Sequence, residues 1–267
     1  MPFHHSGQLK YFTFERLSQA GVTHAIFTRR GGVSTARWKS LNFGRRVGDH
    51  PERVAENHRR AFRALGRSPE SMAEVRQVHG ASVACFDQPP HPAAGHPAAD
   101  ALLTDRAHIT LLMRFADCVP ILLFDPHKQV VGLAHAGWRG TIKGVAAAAV
   151  RQMQARYDCR PQHILAAIGP SICPQHYEVG EDVAAQARQA FGNHTPCLII
   201  ENGRTKFDLW QANEWVLRQV GVRNVEVARI CTACHLEDWF SHRAEQGSTG
   251  RFGALIGLEN GTSARRG

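Results

Sequence analysis

No stretch of this 267-residue chain reaches the ~18 uninterrupted apolar positions that a membrane-spanning helix needs; the longest apolar run, 109–124, is broken by Arg114 and Asp117. The first residues lack the apolar core of a secretory signal, so the chain is expected in the cytoplasm. Seven cysteines, an odd number spread over this length, argue against a disulfide framework and for reduced thiols, some buried and some functional. Acidic side chains are scarcer than basic ones, 23 against 32, which leaves a formal charge of +9. Such a balance suits an anionic partner. The basic residues occur singly or in pairs such as Arg29-Arg30, Arg45-Arg46 and Arg59-Arg60, with no basic stripe interleaved with aromatics. Neither nucleic acid nor a membrane is therefore expected as the partner.

What is present is a globular composition, 43% apolar and 21% charged, long enough for one large domain or two small ones. No repeat occurs at a fixed period. One biased segment, 88–98, carries four prolines within ten residues and reads as an exposed loop, with His91 and His96 as polar loop residues. The apolar segments on either side are too short for two independent cores, so residues 1–267 are read as one domain with short mobile termini. Strand-like runs rich in β-branched and apolar residues fall at 24–28, 82–86, 109–115, 119–124, 130–135, 164–169, 197–200, 225–230 and 254–258. Between several of them the apolar spacing changes to that of a helix. Ile142, Val145, Ala146, Ala149, Val150 and Met153 form one buried stripe over 141–157. A second helix spans 208–220, with Asp208 as N-cap and Gly221 closing it. The class is mixed α and β.

The chemistry concentrates between residues 75 and 141. The strand 130–135 runs into Gly137-Trp138-Arg139-Gly140 and on into a helix. Such a turn aims backbone N–H groups and the positive end of a helix dipole at one point, which favours an anion. Arg139 within it offers a planar guanidinium for phosphate, or alternatively a structural ion pair. His135 ends the strand, Cys118 lies between two apolar runs, and His79 sits in Gln77-Val78-His79-Gly80. One thiolate and two imidazoles suit zinc or copper and leave a fourth tetrahedral position open. The separations are unlike those of a zinc finger, and from spacing alone a core cysteine with two ordinary histidines is the commoner arrangement.

Ordered blocks from about Phe27 to Leu258 resemble a known family. They include Thr28-Arg29-Arg30-Gly31-Gly32-Val33-Ser34, Ser40-Leu41-Asn42, Val47-Gly48-Asp49, Gln77-Val78-His79-Gly80, Ala99-Asp100-Ala101 and Ala116-Asp117-Cys118-Val119-Pro120. They continue with His135-Ala136-Gly137-Trp138-Arg139-Gly140-Thr141, Ile168-Gly169-Pro170-Ser171-Ile172, Phe207-Asp208-Leu209, Cys231-Thr232, Phe240-Ser241 and Thr249-Gly250-Arg251. This pattern is similar to that of the YfiH/YlmD-type proteins, known as laccase-domain polyphenol oxidases and as purine nucleoside phosphorylases. The resemblance implies an α+β layered sandwich of mixed sheets flanked by helices, similar to the necrotizing-factor toxins. It implies that His79, Cys118 and His135 form a metal triad for zinc, with copper as the alternative. It also implies a cytoplasmic phosphorylase of adenosine, inosine, guanosine and methylthioadenosine with adenosine deaminase activity, its partners being a purine nucleoside and phosphate, as a monomer or dimer. Cys118, His135, Asp117 and Arg139 are then the expected catalytic residues, with Asp117 as acid or base or, alternatively, as a turn or strand-end cap. Arg30, Asn42, Arg139, Gly140 and Arg243 are the expected substrate and phosphate contacts. His242 departs from the family pattern, which has tyrosine after Phe-Ser.

Two features point elsewhere. Cys231-Thr232-Ala233-Cys234-His235 matches the C-x-x-C-H pattern of covalent haem attachment, a chemistry that needs export. Cys231 falls instead on the family's Cys-Thr block, and neither redox nor metal chemistry is assigned to the pair. A conventional multicopper oxidase assembles its cluster from several His-x-His pairs, and the chain contains none. The alternatives to a phosphorylase are a mononuclear copper oxidase of phenols, a cysteine hydrolase using Cys118 and His135, or a non-catalytic binding protein.

Overall fold

The computed structural model describes residues 2–91, 95–192 and 197–259. In chain order the strands are β1 (Phe3–Ser6), β2 (Leu9–Phe12), β3 (Val22–Phe27), β4 (Met72–Ala73), β5 (Val83–Cys85), β6 (Ala101–Thr104), β7 (Thr110–Phe115) and β8 (Val119–Asp125). They continue as β9 (Val130–Ala136), β10 (Leu165–Ile168), β11 (Glu178–Val179), β12 (Leu198–Glu201), β13 (Arg204–Phe207), β14 (Asn224–Val227) and β15 (Phe252–Leu258). The helices are α1 (Glu15–Gln19), α2 (Pro51–Ala64), α3 (Trp138–Ile142), α4 (Val145–Tyr157), α5 (Glu181–Phe191) and α6 (Leu209–Gln219).

Two six-stranded sheets, ordered β1-β2-β3-β15-β7-β4 and β14-β10-β8-β9-β6-β5, carry the fold, with a small third sheet β11-β13-β12. Parallel and antiparallel pairs occur in both large sheets, as the mixed α+β reading expects. Side chains alternate between the faces of a strand. Leu111, Met113 and Phe115 of β7 therefore meet Leu122 and Phe124 of β8 in the core between the two sheets. The alternate residues Ile121 and Leu123 point the other way, onto Val145, Val150 and Met153 of α4 and Leu217 of α6. On the outer face of the first sheet, Ala25, Phe27, Leu112 and Leu255 pack on Ala61 and Phe62 of α2. The result is helix, sheet, sheet, helix. Strands buried on both faces read as unbroken apolar runs rather than as alternating ones.

The register of the second sheet builds the site. Val119 faces Ala136 and Pro120 faces His135 across β8 and β9, while Ala101 faces Ala134 across β6 and β9. Cys118, His135, Gly137 and Asp100 thus collect at one end of the sheet, where the chain crosses from β7 in one sheet to β8 in the other. The expected helix over 141–157 is two helices, because Gly144 adopts φ +72° between them. The second expected helix is present as α6, its N-cap Asp208 accepting from the Gln211 amide at 3.0 Å. Of the Pro-rich loop, residues 92–94 lie outside the described residues, as do the C-terminal residues beyond 259 and Met1, expected to be mobile. No helix among the described residues is long and apolar enough to cross a membrane.

Candidate functional site

Ligand atoms of His79, Cys118 and His135 lie within 4.8 Å of one another. The two imidazoles meet edge to face, their centroids 4.9 Å apart. Asp100 organises all of this. Its Oδ1 accepts from His135 Nδ1 at 2.9 Å, which leaves Nε2 as the free nitrogen of that ring. The same carboxylate accepts from the amides of Val78 at 3.1 Å, His79 at 3.0 Å and Gly80 at 2.6 Å, so one buried side chain fixes both histidine-bearing segments. Burial opposes its charge, but these bonds and the His135 ring hold the Asp100 carboxyl below the usual range. His79 and Asp117 adopt φ +58° and +82°, conformations that L residues hold only where the surroundings impose them.

The donor set fits a divalent metal. Burial would push the Cys118 thiol up, yet the His135 charge beside it and hydrogen bonds with His135 and His79 bring it down to about 6. Burial likewise opposes charge on His135, and the Cys118 sulfur and Asp100 raise it to about 9. Both shifts favour a thiolate beside a charged imidazole, and binding of a divalent ion to such a pair releases a proton. Gly137 leaves the space: a Cβ there would lie 2.8 Å from Cys118 Sγ and 3.2 Å from His79 Cδ2. His79 is exposed while His135 is buried, so the cluster opens to one side.

That side is a cavity of about 600 Å³. Its wall includes Arg45, Arg46, Arg76, Arg114, Arg139, Arg243 and Arg251, against the acidic Glu74 and Asp117. The net positive charge of the chain is therefore focused on the cavity that holds the triad. Glu74 is buried and pairs with Arg114 at 2.5 Å, His96 at 3.1 Å and Arg45 at 3.4 Å. Burial pushes its carboxyl up, but the Arg114 and Arg45 guanidiniums hold it below the usual carboxylate range. Two aromatic surfaces complete the wall. Arg139 lies 4.9 Å from the Trp138 ring and Arg243 5.0 Å from the Tyr177 ring.

Not every expected residue reaches this cavity. Arg139 and Arg243 line it, but Arg30 does not: its Nε donates to Asp238 Oδ1 at 2.6 Å and to the Glu237 carbonyl at 3.0 Å. Asn42 is fully buried and cannot touch substrate; its Oδ1 accepts from the amides of Gly44 and Arg251 at 2.8 and 2.9 Å, so it shapes the wall from behind. Gly140 is also buried and serves packing, since a Cβ there would sit 3.2 Å from the Gly80 and His135 carbonyls. Asp117 lines the cavity, yet Oδ1 already accepts from Thr232 Oγ1 and Oδ2 from the Arg243 amide, both at 2.6 Å. Those bonds fit the alternative reading of Asp117 as a cap that staples the wall. The helix after Gly137 has only five residues, too short for a substantial dipole; the positive field comes from the arginines instead. His96, read as a loop residue, lies on the cavity wall, as does His242. Asp100, Glu74, Tyr177 and Arg251 were not singled out from sequence. Asp100 and Arg251 do lie within the resemblance blocks, the one available signal.

Residues 23–259 match the family model described as multi-copper polyphenol oxidoreductase laccase. The chain is 41% identical to a purine nucleoside phosphorylase of Deinococcus radiodurans, over 91% of this chain and 92% of that protein. It is 38% identical to purine nucleoside phosphorylase YlmD of Geobacillus stearothermophilus, over 89% and 90% of the two. The crystal structure of YlmD from that organism aligns with a TM-score of 0.89 at 34% identity, covering 97% of this chain and 99% of the other.

Proposed function

We propose, from the premise that this chain belongs to the YfiH/YlmD-type laccase-domain family, that it is a zinc-dependent purine nucleoside phosphorylase with adenosine deaminase activity. Residues 1–267 are taken as one YfiH-like domain acting in the cytoplasm. The observation that carries the reading is the convergence of His79, Cys118 and His135 on the floor of an arginine-walled cavity. His79, Cys118 and His135 would hold the zinc ion, which would supply Lewis-acid polarisation of a substrate oxygen or a reactive water. The remaining work falls to the chain's own groups. Arg139 and Arg243 bind the doubly charged phosphate and orient one of its oxygens toward C1′. That oxygen forms a bond to C1′ as the bond to the purine nitrogen breaks, and the phosphate proton passes to the departing base. The sugar carries developing positive charge in between, as in other glycosidic cleavages. Trp138 and Tyr177 offer flat surfaces for the base. In deamination, water adds at C6 of adenosine and ammonia leaves.

The deciding measurement combines bound metal with products from adenosine and inosine, with and without phosphate. Metal-replete protein is expected to release ribose-1-phosphate and free base only when phosphate is present, and inosine from adenosine in either case. No turnover by metal-replete protein would remove the reading. A second reading has its own observation: Asp100, His135 and Cys118 repeat the order acid, base and nucleophile of a cysteine hydrolase. Activity that survives chelation but is lost on alkylation of Cys118 selects it, and oxygen uptake with phenols by the copper-loaded protein selects an oxidase.

A further inference from the structure

We propose that Cys173, His176, Cys231 and Cys234 form a second metal site, structural in kind and selective for zinc, behind the wall of the cavity. Two short motifs supply the ligands, Cys173-x-x-His176 and Cys231-x-x-Cys234. Each is a turn with two intervening residues, and His176 lies 58 residues from Cys234. The four ligand atoms lie within 4.8 Å of one another. His176 Nδ1 is 3.3 Å from Cys173 Sγ, 3.4 Å from Cys234 Sγ and 3.8 Å from Cys231 Sγ. Ligands on a tetrahedral zinc, at about 2.3 Å for sulfur and about 2.0 Å for nitrogen, stand about 3.5 Å apart from nitrogen to sulfur. The observed spacing matches that arrangement. Hydrogen bonding does not account for it, because one imidazole nitrogen carries at most one proton and three sulfurs surround it.

The surroundings fit a metal site as well. The Cys173 amide donates to Cys231 Sγ at 3.3 Å, the kind of backbone contact that orients a ligating thiolate. Cys173 and Cys231 are buried, whereas His176 and Cys234 are exposed, which gives an ion a route in. Three cysteines and one histidine close the coordination sphere, in contrast to the open triad.

The location explains what such a site would do. Ser171 bridges to Cys231, and the Thr232 amide donates to the Ser171 carbonyl at 3.1 Å, so the two turns already lie side by side. His176 precedes Tyr177 on the cavity wall, and Thr232 holds Asp117. A zinc there would clamp the two segments that shape this wall.

Cobalt and zinc titrations of the reduced, metal-stripped full-length protein test the proposal. Wild-type protein is expected to bind two equivalents, with two distinguishable cobalt spectra, one of them rich in sulfur-to-cobalt charge transfer. The Cys118→Ser variant, in which only the second site is intact, is expected to keep one equivalent with the sulfur-rich spectrum. Its Tm should rise by at least about 5 °C at zinc a hundredfold above Kd. Adding Cys234→Ser or His176→Ala to that variant is expected to abolish both responses. Absence of the sulfur-rich equivalent from both wild type and Cys118→Ser, or its survival in Cys234→Ser and His176→Ala, would overturn the proposal. So would a Cys231–Cys234 disulfide persisting in the reduced, metal-replete protein. A single sulfur-rich equivalent in the wild type, unchanged by Cys118→Ser, would count against metal at the triad instead. The wild-type titration is informative even if a variant does not fold.

Discussion

Asp100 shows how much one side chain can organise. It accepts four hydrogen bonds, one from the His135 ring and three from the backbone that carries His79. Asp100→Asn keeps the shape but removes the charge and turns one acceptor into a donor. Triad metal affinity is expected to fall 10- to 100-fold, as measured by competition with a chelator; unchanged affinity would mean that the loop holds His79 without it. Gly137 acts through absence of a side chain. Gly137→Ala would place a methyl 2.8 Å from Cys118 Sγ, so bound triad metal should drop below half an equivalent while circular dichroism stays that of the wild type. A fully loaded alanine variant would show that the sulfur has room to move. At the same scale lies Asp117: its residue type permits acid–base chemistry, and two hydrogen bonds at 2.6 Å tie it to the wall.

Elements place these residues through register and caps. The pairing of β8 with β9 and of β9 with β6 sets Cys118, His135 and Asp100 at one sheet end, and any slip would turn alternate side chains to the other face. Two further buried histidines, His24 and His58, also tie elements together, and burial keeps them neutral. His24 of β3 accepts from the Phe14 amide through Nε2 at 2.8 Å while Nδ1 faces the Val22 carbonyl at 3.0 Å. In α2, His58 donates through Nε2 to the Phe43 carbonyl at 3.2 Å, and its buried Nδ1 finds no partner among the described residues. Burial lowers both rings to about 4. The unfolded chain therefore binds more protons between pH 6.5 and 4. The contribution of each ring is complete above the unfolded value and is lost as pH falls toward the folded one, reaching roughly 3 kcal/mol apiece. Urea midpoints should fall steadily over that window, and the slope should be about halved in His24→Gln. A flat profile in the wild type would contradict neutral burial.

For the molecule as a whole, the decisive feature is where the charge goes. Seven arginines face the cavity, so phosphate binding should weaken with salt as the field is screened. Initial rates at low and at physiological ionic strength should show KM for phosphate rising with little change in kcat. Arg139 is exposed, stacks on Trp138 and makes no ion pair among the described residues. Loss of a charge-assisted contact of about 1.5 kcal/mol or more predicts at least about a tenfold higher phosphate KM for Arg139→Gln. An unchanged KM would move the phosphate toward Arg243 and Arg251.

By itself the sequence determined the class, most of the strands, the capped helix over 208–220 and, through its ordered blocks, the family. These rest on local alternation, helical spacing and short motifs, all of which can be read along one dimension. It missed α2, whose fourteen residues are polar over most of their surface, and the short strands β1, β2, β4 and β6, where runs of two to four residues carry little periodic signal. Only tertiary structure decided which arginines line the cavity, because Arg30 and Arg139 differ in their neighbours rather than in type. Likewise only the fold gave Cys231 and Cys234 their companions Cys173 and His176. Convergence at a point is set by strand register and by where the chain crosses between sheets, and neither is written into the spacing of the residues that converge.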